Sequence, residues 1–215
     1  MRKLFMGLAI LALVCSGASA GLFGDDVDLA DLSQLSPDAL ETLKDTEFNV
    51  FFSKVRHAGA KVMENKAGVD LKASKLTLDA KNLHLQSAEA DLKAAKATKD
   101  QGKIEAADKA LRQAKENYET AQMLIKWKKK EVDVQTASVK KAKMAVELAE
   151  AESDLARVAQ LIEQNVASAQ KYNPSDFKAR VGKKQKEYQK ALKAETKKML
   201  EAKNLRTEYG KISKQ

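Results

Sequence analysis

The stretch ADLKAAKATKDQGKIEAADKAL, residues 90–111, is nearly a palindrome of chemical character. At its centre lies TKDQGK, Thr98 to Lys103, which is polar throughout and carries a glycine. Going backward from this centre, an uncharged residue recurs every seven places: Ala97, Ala90, Leu83, Leu76, Val69, Val62 and Val55. Going forward, the same spacing yields Ile104, Leu111, Tyr118, Ile125, Val132, Val139 and Val146. A seven-residue apolar period keeps one seam of a helix turned toward a partner helix. Two such series reflected about a polar break predict an antiparallel hairpin with its tip near 98–103, Gly102 supplying the turn.

The reflection pairs Val55 with Val146 at one end and Ala97 with Ile104 at the other. A companion seam of small residues follows, in which Gly59, Ala73, Ala80, Ser87 and Ala94 face Ala142, Lys128, Ala121, Ala114 and Ala107. The first arm holds a second stripe, Leu71, Leu78, Leu85 and Leu92. Local alternation such as Leu76/Leu78 and Leu83/Leu85 resembles a strand pattern, but the seven-residue continuity on either side favours helix.

The second arm also has a second stripe, Trp127, Val134, Leu148, Leu155 and Ile162. At about 100° per residue, Trp127 points roughly 110° away from the first seam, so this arm touches two neighbours. A third helix is the expected second neighbour. It follows the Asn173-Pro174 break, is capped by Ser175 or Asp176, and carries Phe177, Val181, Tyr188, Ala191, Leu192, Met199, Ala202, Leu205, Tyr209 and Ile212 between lysines. The first helix is expected to begin with Ser36 as cap and Pro37 in its first turn, with Gly59 and Gly68 bending or breaking it.

The fold class read from these patterns is all-α: a long antiparallel coiled-coil hairpin plus a third, shorter basic helix, together an elongated helical bundle. The expected divisions are a signal peptide over 1–20, an acidic flexible leader over 21–35, the hairpin over 36–172 and the basic helix over 173–215. Composition agrees, since only two prolines occur and charged residues make up 32% of the chain, the balance of long helices rather than of a thick globular core.

The start, Met-Arg-Lys followed by LFMGLAILALVCSGASA, has the charged, apolar and small-residue parts of a secretory signal. Its apolar run is shorter than the roughly 20 residues a spanning helix needs. Cleavage is expected after Ala20, which would remove Cys15, the only cysteine, and with it any disulfide or thiol chemistry. The compartment implied is the bacterial periplasm, with no transmembrane segment in the mature chain.

Charge is unevenly spread. Residues 175–215 hold 11 Lys and 2 Arg against 5 acids, whereas the stretch after Ala20 opens with Asp25, Asp26, Asp28 and Asp31. Lys183, Lys184, Lys186, Lys190, Lys193, Lys197 and Lys198 are the candidate contacts to an anionic surface, a lipid headgroup, lipopolysaccharide or an acidic envelope protein. Nucleic acid is set aside as a partner, because export removes the chain from it and no recognition motif accompanies the lysines. The part of the second stripe that a short third helix leaves uncovered points to a homo-oligomer.

His57 and His84 lack the Glu-x-x-His spacing of a helical metal site, and no nucleophile–base pair or phosphate-cradling loop occurs. No catalytic residue, metal or cofactor is therefore expected, and the chain reads as non-enzymatic.

LARVAQLIEQNVAS, residues 155–168, contains Arg157, Leu161 and Ser168 at spacings of four and seven. This resembles the tip motif of periplasmic adaptor (membrane fusion) proteins of efflux and type I secretion systems, over residues about 140–190 only. The resemblance implies that these three residues contact an outer-membrane channel. The adaptor's lipoyl and β-barrel segments have no counterpart here. A broader similarity joins the basic helices to the tentacles of Skp-type periplasmic chaperones. The leading functional expectation is a scaffold or interaction protein on an anionic envelope surface. The alternatives are a channel-docking component of an export assembly and a membrane-sculpting dimer of long basic helices.

Overall fold

The computed structural model describes residues 27–213; the expected signal peptide with Cys15, and Asp25 and Asp26, lie outside them. The elements in chain order are α1 (Leu29–Leu32), α2 (Pro37–Thr98), α3 (Gln101–Glu163), a 3-10 turn (Ala167–Lys171) and α4 (Pro174–Ile212). The fold is all-α, an antiparallel hairpin of α2 and α3 with a shorter third helix packed on α3. Contacts divide the chain into two compact units. The first takes its described residues from 27–58 and Lys141–Ala191, and the second from Gly59–Lys140 and 192–213.

Local chemistry sets the helix ends. The Ser36 hydroxyl accepts from the Ala39 amide at 3.2 Å, with Pro37 at the first helical place, where no amide is needed. At the start of α4 the cap is Asn173, whose side chain accepts from the Ser175 amide at 3.1 Å. Neither Ser175 nor Asp176 fills that role, because Pro174 already opens the helix. The hairpin turn is Lys99-Asp100: Lys99 adopts φ 57, and Asp100 Oδ1 accepts from the Lys103 amide at 3.2 Å. Gly102, expected to make the turn, lies instead in the first turn of α3. Gly59 and Gly68 do not break α2, which runs 62 residues without interruption.

In the first unit, Val27, Leu32, Leu35, Ala39 and Leu43 pack with Val158, Leu161, Val166 and Ala169 in one apolar cluster. Tyr172 and Phe177 close its edge, their rings meeting edge-on at 6.2 Å. Residues 27–35 are therefore a docked part of the core, not a flexible leader; three buried apolar side chains there outweigh the acidic ones. Ion pairs between Lys54 and Glu150 at 2.9 Å and between Arg157 and Glu47 at 3.2 Å show α2 and α3 running antiparallel.

In the second unit the hairpin is thinner. α3 turns its expected seams inward: Ala121 and Ile125 are buried and Val132 and Val139 half-buried. α2 does not. Val62, Val69, Leu76 and Leu83 are 65%, 63%, 71% and 66% exposed, and Gly59, Ala73, Ala80, Ser87 and Ala94 are exposed beside them. The buried file is Ala67, Ser74, Ala88 and Ala95, flanked by half-buried Leu71, Leu78, Leu85 and Leu92. The leucines read as a second stripe of this arm thus flank the true seam.

Candidate functional surface on the third helix

α4 is positioned by α3 in both units. In the first, Arg180 meets Asp154 at 3.1 Å and Lys184 meets Glu147 at 2.6 Å. In the second, Lys198 meets Asp133 at 3.8 Å, Lys130 meets Glu201 at 3.0 Å, and Trp127 stacks on Tyr209 with ring centroids 5.5 Å apart. Arg206 and Lys128 both lie over the same indole. Trp127 is thus a packing residue between α3 and α4, and its flanking lysines answer to that packing.

These contacts fix which way each lysine points. Lys184 and Lys198 turn toward α3 and are held by carboxylates. The hydrogen bond from Lys184 to Glu147 raises the lysine above its ordinary value, with a smaller contribution from Glu187. Lys183, Lys186, Lys190, Lys193 and Lys197 are exposed. Steps of three and four place Lys183, Lys186 and Lys190 in one file in the first unit, and Lys193 and Lys197 in one file in the second. The acids of the same stretch point elsewhere: Glu187 pairs with Lys184, Glu195 is buried and Glu201 pairs with Lys130 and Lys198. The helix therefore sorts its charges, leaving a one-signed outer face.

Arg157 and Leu161 are placed differently from the expectation of a docking contact. Arg157 is 1% exposed and Leu161 0%. The Arg157 guanidinium donates to Asp154 at 3.3 Å and to Glu47 at 3.2 Å, while the other oxygen of Asp154 accepts from Arg180 at 3.1 Å. Two cations and two carboxylates from α2, α3 and α4 thus neutralise one another in the interior. Leu161 belongs to the apolar cluster, and the Ser168 hydroxyl is buried as well. None of the three offers a partner an exposed functional group. The Asp154 network of four charges is not legible in the sequence, although the aspartate three places before Arg157 is a local sign of it.

A second polar constellation holds the N-terminal segment down. The Tyr172 hydroxyl donates to Asp31 at 2.6 Å and accepts from the Asp28 amide at 3.1 Å; Lys171 stands 3.7 Å from Asp31. The Tyr172 hydrogen bond lowers the Asp31 pKa from 3.8, against desolvation, with smaller help from Ser168 and Lys171. Burial, then Asp31, raises Tyr172.

An open cleft of about 530 Å³ lies near the hairpin tip in the second unit, lined by Lys81, His84, Ser87, Asp91, Lys109 and Asn117 among others. No hydrogen bond joins its histidine, serine and aspartate. Among the described residues no cluster of three metal-ligating side chains occurs, and no helix is long and apolar enough to cross a membrane. Comparison with known proteins returned no matching family model, curated protein or solved structure.

Proposed function

We propose that the protein is a non-enzymatic coiled-coil scaffold of the bacterial periplasm whose third helix holds an anionic envelope surface. The observation that carries this reading is the exposed lysines of α4, Lys183, Lys186 and Lys190 in the first unit and Lys193 and Lys197 in the second, while the neighbouring acids are buried or engaged in ion pairs. A one-signed face on a stiff helix attracts phosphate-bearing surfaces, at about 1 kcal/mol per lysine near an anionic bilayer. The hairpin of α2 and α3 supplies the stiffness. Docking on a channel through Arg157, Leu161 and Ser168 has less support, because it requires opening a neutralised, buried ion network.

Co-sedimentation with phosphatidylglycerol vesicles tests the reading. Binding is expected at low salt, with loss at high salt. Lys186→Gln with Lys190→Gln removes two charges and is expected to weaken binding roughly thirtyfold. Equal binding to zwitterionic vesicles, or none to anionic ones, overturns the proposal.

A further inference from the structure

The outer face of α2 in the second unit carries Val62, Val69, Leu76 and Leu83 at 63–71% exposure, with Met63 at 56% beside them. Single exposed apolar residues are ordinary on any protein. An unbroken file at a strict seven-residue period is not, since that period keeps a stripe in line only against another supercoiled helix. The buried file of α2, Ala67, Ser74 and Ala88, lies about 160° around the helix from it, so α3 of the same chain covers the opposite side.

We propose that this face is a homodimer interface, in which the α2 helices of two copies pair antiparallel about a twofold axis between Ser74 and Lys75. The chemistry of the stripe argues for a copy of itself. In that register Leu76 meets the partner's Ala73, Val69 the partner's Ala80 and Val62 the partner's Ser87. Each of these three layers sets a large side chain against a small one, and Ala73, Ala80 and Ser87 are all exposed and ready to receive it. On the flanks Lys72 meets the partner's Asp79, twice by symmetry, while Asp70 meets the partner's Thr77 and Asn65 the partner's Gln86. No like charges oppose. Lys66 falls against the partner's Leu83, where its stem covers the leucine and its ammonium reaches water.

Twofold pairing is also the commonest closed assembly. This inference stands apart from the lysine face of α4, and either can fail alone.

Sedimentation equilibrium of the purified chain is expected to give twice the chain mass, falling to one on dilution. Leu76→Asp lies on an exposed face, so circular dichroism should be unchanged while the dimer is lost. Lys72→Asp is expected to weaken association roughly tenfold, and adding Asp79→Lys should restore it. In a Cys15→Ser chain, Val69→Cys with Ala80→Cys should oxidise to a covalent dimer, and Val69→Cys alone should not. A wild-type chain that stays monomeric at every concentration reached overturns the proposal, as does a Leu76→Asp dimer. A charge swap that restores nothing overturns the antiparallel register.

Discussion

The first unit and the second are made from the same helices yet bury their residues to different depths. In the first, Arg157, Leu161, Val158, Asp154 and Ser153 all lie below 2% exposure. In the second, the most buried side chains, Ala121, Ile125 and Glu195, remain at 7%. The difference comes from what lies over the hairpin. In the first unit the segment from Val27 to Leu43 and the turn through Ala169 and Tyr172 wrap the end of α3. The second unit has only α4 on one side of α3, and the outer face of α2 stays bare. A wrapped end can afford a buried ion network; a thin hairpin relies on alanine-sized contacts and leaves apolar surface for another molecule.

That contrast can be broken most sharply at Asp154. Asp154→Ala removes one of the carboxylates that neutralise the buried Arg157 and the partner of Arg180, and should cost about 3–5 kcal/mol in a urea titration. A loss under 1 kcal/mol would show that the network is not the keystone of the first unit. Next comes a matched pair of truncations. Leu161→Ala should cost about 2–5 kcal/mol, whereas Leu78→Ala, half-buried in the second unit, should cost clearly less by the same measurement. Equal losses would erase the distinction between the units.

A smaller effect is expected at the start of α4, where Asn173→Ala removes the side chain capping Ser175 and should cost about 1 kcal/mol. The smallest is a pH effect. Asp31 has a lowered pKa, so its contribution is present above its unfolded value of 3.8 and fades as pH falls through the lower folded value. Protection of the amides of residues 28–35 from hydrogen exchange should therefore weaken at acid pH, and Tyr172→Phe should shrink that acid response. Unchanged protection down to the lowest pH would argue against the Asp31–Tyr172 clasp.

The hairpin, its tip and both stripes of α3 were legible because each rests on periodicity, a property of consecutive residues. Trp127 was placed correctly for the same reason: two residues past Ile125, it had to face a different neighbour from Ile125. α2 was misread. Its outer file from Val55 to Ala97 has no charge, whereas the inner face includes Glu64 and Lys81, so continuity alone favours the wrong face. The larger leucines at 71, 78, 85 and 92 gain more from burial than valines do, and the half-buried stem of Lys81 is tolerated beside them. The resemblance gives Arg157 an outward contact, whereas its partner Glu47 lies 110 places earlier, beyond any local pattern. Of the candidate lysines, sequence supplied the charge and the helix. Only the carboxylates of α3 separated the inward Lys184 and Lys198 from the outward five.

By itself the sequence determined an all-helical chain, a fold-back near residue 100 and a basic last helix, since helical period, proline position and net charge are all local quantities. Tertiary structure alone decided which face of α2 enters the hairpin, which lysines remain outside and which ions are buried. Each of those choices depends on what a distant segment presents, and a helix with apolar files on two opposite faces carries no internal preference strong enough to choose between them.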